Sequence, residues 1–397
     1  MKILMVSYRI PYPLTAGFRI RIYNEAKYLK SMGHQVDLVY LGNSRDEELY
    51  RSELAKVFDH ISCFSIKGAE VLANIVMLTF LRGKPFQVAL YWNRKMNSYI
   101  QNVAGKYDVI IGNAVRTAEY LISLPKDKTI LDLHDAVSYN YLNLIKHLTG
   151  LKNLFYKIER KLLMRYECKL TRQIKRLFIT SEVDKQYLKE IGADTDNITV
   201  IPVAVRDDIK DVKVDVGEDE CALCFLGKMS YQPNADAVIW FCRNVFPILK
   251  ENHEGLKFYI LGIEPSDEIM ALKSEGIEIT GFLENPYKTI KRCMAMVVPI
   301  RNGAGMQNKI LESMVVGTPC VISTIAEEGL GGKNGQTYIV ADTVSEYVDA
   351  IEMLIQNPQT RKKIGEEASL FVKQYMWDEL KYRLQDMIET NEKGKTV

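Results

Sequence analysis

Lys309 and Glu312 stand three residues apart in "GAGMQNKILESMVVGTPCV" (303–321), behind two glycines and ahead of a Gly-Thr-Pro turn and an apolar run. This pattern suits an anion. Gly303 and Gly305 leave the backbone amides of 305 to 307, those of Met306 and Gln307 included, free to point outward. A helix expected to begin near Met306 contributes the positive end of its dipole, and Lys309 contributes a full charge one turn in. Ile310, Leu311, Met314 and Val315 would then face the core. Glu312 falls on the same edge of that helix as Lys309, where a carboxylate can accept two hydrogen bonds from vicinal hydroxyls such as those of a ribose. The alternative is an ordinary i,i+3 surface pair worth about 0.2–0.5 kcal/mol, and spacing alone leaves both readings open.

Two other stretches offer related chemistry. In "FLGKMSYQPNADAVIWF" (225–241) a strand-like run ends at Gly227, which permits close backbone approach, and Lys228 follows as a cation at the sheet edge. Asn234 reads as an N-cap of the next helix, with ligand contact as the alternative. In "YRIPYPLTAGFRIRIYNEAKYLKSMGH" (8–34) Gly17 immediately precedes an amphipathic helix whose first amides suit a phosphate; a plain tight strand-to-helix turn would look the same. There is no G-x-G-x-x-G, which disfavours dinucleotide binding. His134 and Asp135, in "LDLHDAVS" (131–138), end another strand-like run. Cys221 and Cys224 form the one C-x-x-C, inside the strand-like "CALCFLG" with no second pair of ligand spacing nearby, so a core strand is the simpler reading than zinc or redox use.

The elements that must position these residues alternate along the whole chain. Strand-like runs at 2–8, 35–41, 60–66, 107–113, 129–134, 176–181 and 198–203 are separated by helical patterns, which indicates parallel strands with crossover helices. A charged stretch, 206–220, interrupts the alternation, which resumes at 221–227, 256–262, 277–282, 295–300 and 319–325. The expected organisation is an α/β protein with two doubly wound, Rossmann-like domains, 1–205 and 206–376, facing across a cleft. A helix at 377–397 would pack back toward the first. Open parallel sheets bind ligands at the carboxyl ends of their strands, so function is expected there.

Composition agrees with this reading. The chain has 397 residues, 47% hydrophobic and 26% charged, and its length suits two cores better than one. Its most apolar segment, Val71 to Leu81, is too short to span a bilayer and is interrupted by Asn74. No cleavable signal pattern opens the chain, and a cytoplasmic location is expected. The net charge of +2 conceals an asymmetry: residues 1–205 carry 30 Lys/Arg against 20 Asp/Glu, and the remainder is acidic. Ten basic residues lie between Tyr141 and Arg176, against only Glu159 and Glu167. With its interleaved aromatics this segment, 141–176, suits an anionic membrane surface, although a solvated helical face would read alike. No recognition motif for nucleic acid accompanies the charge.

Taken in order, "FLGKMSYQPNADAVIWF", "YILGIEPSDEI", "ITGFLENPY" and "VVPIRNGAGMQNKILESMVVGTPCVIST" resemble the donor-binding half of the family 4 glycosyltransferases of GT-B architecture. "PYPLTAGFRIRIYNEAKYLKSMGHQVDLV", "LDLHDAVS" and "ITSEVDKQYLKEIG" resemble the acceptor half. The resemblance covers nearly the whole chain and is to bacterial transferases that build surface polysaccharides. It implies a retaining, metal-independent transfer of a sugar from a nucleotide-diphosphate donor to a glycan or polyprenyl-linked acceptor, with no cofactor and a peripheral place at the inner face of the membrane.

It also implies site roles. Glu312 matches the second acid of the family's E-x7-E motif and would bind ribose, whereas Ala304 stands where the first acid belongs. Lys228 matches the phosphate-binding base. The second base is missing, with Asn234 near its place, and Lys309 is expected to replace it. His134 would approach the donor sugar, beside Asp135. Gly17, Gly227, Gly281, Gly303, Gly305, Met306 and Gln307 complete the expected donor contacts. A catalytically silent binding protein, which Ala304 favours, and a nucleotide-sugar epimerase of the same architecture are the alternatives.

Overall fold

The computed structural model describes residues 1–389 apart from 15, 147, 206–208, 211, 213–219 and 303–305. Two compact units result. Met1–Pro202 forms the first together with the end of the last helix from Lys381 onward, and Val203–Leu380 forms the second.

The first unit holds a seven-stranded sheet: β1 (Lys2–Ser7), β2 (Gln35–Leu41), β3 (Ile61–Phe64), β4 (Val109–Asn113), β5 (Thr129–Asp132), β6 (Leu177–Ile179) and β7 (Ile198–Val200). All pairs are parallel, in the order β3-β2-β1-β4-β5-β6-β7. The second holds β8 (Glu220–Leu226), β9 (Lys257–Leu261), β10 (Ile277–Gly281), β11 (Cys293–Val298), β12 (Cys320–Ile322) and β13 (Ile339–Val340), again parallel, in the order β10-β9-β8-β11-β12-β13. Every expected strand is present, and β13, only two residues long, is additional.

Continuous apolar runs form these strands because helices cover both faces of each sheet. All six residues of β11 are buried, as are Ala222, Leu223, Cys224 and Phe225 of β8. Cys224 packs near Cys293 and Cys320, and burial pushes its thiol well above the usual range. Cys221 is exposed. The strand thus turns the two sulfurs of the C-x-x-C to opposite faces, which suits a core strand and does not suit shared ligation.

In each sheet the order reverses at its first strand, between β1 and β4 and between β8 and β11. A crevice opens at the carboxyl end of such a switch point because the flanking helices depart in opposite directions. The loops after β1, β5, β8 and β11, with the helices that follow them, carry the site residues expected from sequence except Gly281, which ends β10.

Candidate functional site

In the second unit the loops after β8 and β9 meet backbone to backbone. The Gly227 amide donates to Leu261 O at 2.9 Å, and a Cβ at Gly262, whose φ is +148°, would stand 1.8 Å from Gly227 O. A Cβ at Gly227 would stand 2.6 Å from Asn234 Nδ2. Neither position has room for a side chain: the Gly227 backbone takes the space at Gly262, and two polar groups, Asn234 and Lys309, take it at Gly227.

Asn234 is not the N-cap expected from sequence. Its helix, Gln232–Asn244, starts two residues earlier, capped by the backbone of Tyr231 with Pro233 in the first turn, where its missing N–H costs nothing. Asn234 is buried inside that turn and uses both ends of its amide: Nδ2 donates to Lys228 O at 2.9 Å and Oδ1 accepts from Lys309 Nζ.

Lys309 lies 8% exposed, its ammonium 4.3 Å from the Phe225 ring centroid. The helix that carries it, Asn308–Val315, begins two residues later than expected because Gln307 keeps an extended backbone (φ −89°, ψ 99°). Lys309 therefore sits in the first turn, where the dipole opposes its charge. Ile310, Leu311 and Met314 are buried as expected, but Val315 only half so. Loss of water pulls the Lys309 ammonium down to about 7, a shift that Glu312 on the same helix partly opposes. The expected full charge is thus reduced near neutrality. Among the described residues no carboxylate forms a salt bridge with it. Met306 packs on the core of this unit, while Gly303, Ala304 and Gly305 lie outside the described residues.

Lys228 is half-exposed and pairs with Glu264 at 2.9 Å. Glu264 has φ +55°, unusual for a residue with a Cβ, and also accepts from Ser230 Oγ at 2.6 Å. Hydrogen bonds from Ser230 and then Lys228 hold its carboxyl below the usual range. Gly281 ends β10 with φ +68°, and a Cβ added there would meet nothing within 4 Å, so only its backbone conformation calls for glycine.

In the first unit Gly17 opens the helix Gly17–Ser31, whose N-cap, Ala16, offers no side-chain acceptor to its first amides. Four residues on, Arg21 reaches the end of β5: its Nε and Nη2 donate to Asp132 at 2.6 and 3.2 Å, and Nη1 donates to Ile201 O at 3.1 Å. Glu25 approaches the same guanidinium at 3.0 Å. Two carboxylates thus share one buried cation, and their behaviour separates. Burial raises Glu25 to about 8, whereas Arg21 and His134 outweigh burial at Asp132 and hold it below the usual range.

His134 follows with φ +64°, its Nε2 3.1 Å from Asp132 Oδ2, and its backbone is clamped by Asp132 Oδ1 on its amide and the Thr180 amide on its carbonyl. Asp135 accepts from Thr180 Oγ1 at 3.2 Å. Sequence reasoning missed the Arg21–Asp132 pair, because 111 residues separate its members. It also missed a basic–aromatic cluster at the ends of β1 and β4: the Arg116 guanidinium lies 4.7 Å from the Tyr8 ring centroid, and Arg9 donates to Tyr91 Oη at 2.5 Å.

Residues 220–357 match the family model described as glycosyl transferases group 1, and residues 16–208 match that of glycosyltransferase family 4. The chain is a glycosyltransferase of this family. A protein of the cps region of Klebsiella pneumoniae, described as an uncharacterized 44.6 kDa protein, is 25% identical to this glycosyltransferase over 390 residues, 94% of this chain and 96% of the other. Among solved structures, Anabaena HepE in complex with UDP superposes with a TM-score of 0.69 at 14% identity, over 98% of this chain and 99% of that one. WaaG, a glycosyltransferase involved in lipopolysaccharide biosynthesis, superposes with 0.68 at 12% identity, over 98% and 100%. The architecture of the glycosyltransferase is GT-B.

Proposed function

We propose that this glycosyltransferase moves a sugar from a nucleotide-diphosphate donor to a glycan or lipid-linked acceptor in surface-polysaccharide synthesis, with retention of configuration and without a metal. The observation that carries the donor half is Lys309. A buried ammonium facing an amide oxygen instead of a carboxylate, at the mouth of a helix and beside a glycine, Gly227, without room for a Cβ, is a site short of one anion. HepE was solved with UDP and with UDP-glucose, and WaaG acts in lipopolysaccharide biosynthesis. These likenesses, and the cps-region relative, favour a nucleotide-sugar donor and a surface glycan.

The chemistry follows from where charge grows. As the bond from the anomeric carbon to the leaving oxygen breaks, negative charge accumulates on the diphosphate, and donors already aimed at it lower the barrier. Lys228 and Lys309 take the phosphates, in the place a metal would otherwise fill. Glu312 accepts the ribose hydroxyls. The acceptor hydroxyl attacks on the face that the diphosphate leaves, and its proton passes to the leaving phosphate oxygen. His134, held by Asp132, orients the donor sugar, while Asp135 keeps that loop in place through Thr180. The acceptor side falls to the first unit, where Arg9 and Arg116 suit an anionic group and the segment 141–176 suits an anionic membrane face.

Incubating the protein with a panel of nucleotide sugars in EDTA, with and without membrane lipid extract, tests this reading. Release of nucleoside diphosphate and a product with the donor's anomeric configuration is expected. Binding without turnover would favour a silent scaffold, and sugar interconversion without acceptor would favour an epimerase.

A further inference from the structure

The apolar segment 71–81 gives the core Leu78 and turns most of its other large apolar side chains outward. It folds as the helix Gly68–Asn74 continued by a wider π-helical turn, Ile75–Phe80, and its amphipathicity is inverted. Asn74, the polar residue, is turned inward and donates to Trp92 O at 2.6 Å. Leu72, Val76 and Met77 are exposed, Phe80 is 71% exposed and Leu81 is 77% exposed.

This ridge is continuous with one end of the long helix Gly150–Gln173. Phe80 meets Phe86 at 5.9 Å between ring centroids, and Phe86 meets Phe155 at 5.1 Å. Glu159 fixes the join, its carboxylate accepting from the amides of Phe86 and Gln87 at 2.8 and 3.1 Å. On the far side Leu151 (86% exposed), Leu154, Phe155 and Ile158 extend the same apolar face, beside an open hollow of about 460 Å³ lined by Leu144, Leu148, Leu151, Lys152, Phe155 and Tyr156.

Charge decides what covers this face. Glu159 and Glu167, the only acids between 141 and 176, are both buried, and residues 71–107 contain none. Arg82, Lys152, Lys157, Lys161 and Arg165 are exposed, and none is paired with a carboxylate among the described residues. An apolar ridge rimmed by cations of one sign repels a second copy of itself and fits a surface whose outer layer is anionic and whose interior is hydrocarbon. No helix among the described residues is long and apolar enough to cross a membrane.

We infer that Leu72, Val76, Phe80 and Leu81, together with Leu151 and Phe155, insert side by side into the acyl layer of an anionic bilayer. This goes beyond the electrostatic contact of 141–176 included in the proposed function, and it rests on that contact. The basic rim draws the protein to the surface and the ridge holds it there.

The test uses the full chain and vesicles of phosphatidylcholine alone or mixed in equal parts with phosphatidylglycerol. L81W should bind the anionic vesicles, shift its emission to the blue and be quenched by lipid brominated along the acyl chain. F80S/L81S should bind at least about tenfold more weakly with an unchanged salt dependence, whereas K152E/K157E/K161E should lose the salt dependence. If wild type binds but L81W is neither shifted nor quenched, contact is electrostatic only and insertion is wrong. If wild type fails to bind anionic vesicles, both the insertion and the membrane contact fall, while nucleotide binding stands separately. Lipid-free self-association abolished by F80S/L81S would assign the ridge to a second copy and overturn the inference.

Discussion

Lys309 Nζ donates to Asn234 Oδ1, so the helix that follows β11 and the helix that follows β8 are tied together through one buried ammonium at the switch point of the second sheet. A neutral amide satisfies the geometry of the lysine without pairing its charge, and Glu312 on the same helix offsets the loss of water only in part. That distinction governs what the site attracts.

Exchanging the amide for an acid isolates the charge from the shape. N234D keeps the volume and the Oδ1 acceptor, gives up the Nδ2 donation to Lys228 O, and supplies an internal counter-ion, which holds Lys309 protonated and competes with an incoming phosphate. Nucleoside diphosphate affinity should fall about tenfold or more, the scale of one charge-assisted hydrogen bond, in a variant that still melts as a folded protein. Calorimetry with thermal denaturation of the same samples checks both halves. Unchanged affinity would mean the phosphates do not reach Lys309.

Binding should also take up protons. The free ammonium titrates near 7, and a bound diphosphate raises it, so the bound state holds more protons above pH 7. Affinity is then level below pH 7 and declines as pH rises above it. Calorimetry at pH 8 in buffers of different ionisation enthalpy should show nearly one proton absorbed, and K309M should show none from this group.

The same shift has a consequence for folding. With its folded value depressed, Lys309 binds fewer protons in the native than in the unfolded chain between about 7 and the ordinary lysine range. The burden it places on stability is complete below pH 7 and is relieved as pH rises through that window.

Glycine identity separates contact from backbone conformation. G262A drives a methyl into Gly227 O and should cost at least about 3 kcal/mol, since backbone on both sides cannot yield. G281A meets open space, and its positive φ should cost about 1 kcal/mol. Denaturant unfolding of the two variants measures the contrast, and equal losses would remove the case for close approach between the β8 and β9 loops.

In the first unit Glu25 and Asp132 should respond oppositely. Asp132 carries the charge that pairs Arg21, so D132N leaves a buried guanidinium poorly compensated and should cost about 3–5 kcal/mol. Glu25 is held protonated by burial, so E25Q should cost under about 1 kcal/mol near neutrality. Because its folded value is raised to about 8, the native state keeps a proton that the unfolded chain releases from about pH 4.5 upward. Stability is lost progressively between those values, and E25Q should flatten that slope in pH-dependent chemical denaturation.

Local patterns made much of this legible. Uninterrupted runs such as "MAMVVPI" announced buried parallel strands, and Gly227 at the end of one announced a close backbone approach. Ile339–Val340 was too short to leave a periodicity. Asn234 was misread because asparagine is a strong N-cap, although Pro233 one residue earlier already marked the first turn. Contacts remote in the chain left no trace: nothing near Arg21 names Asp132, nothing near Gly262 names Gly227, and nothing in "ANIVMLTFL" says that its asparagine turns inward and its last two residues outward. In that last stretch Asn74 and Leu78 turn inward while Phe80 and Leu81 turn outward, an arrangement set by tertiary packing, which overrides local preference.

The donor chemistry requires a diphosphate resting on Lys228 and Lys309. Titrating UDP, and in parallel ADP, GDP and dTDP, into wild type, K228A and K309M by calorimetry decides whether it does. At least one nucleotide should bind wild type, with affinity reduced about 10- to 100-fold in each variant while both remain folded. Equal affinity for that nucleotide in wild type and in both folded variants would overturn the assignment of these two lysines and the donor site built on them.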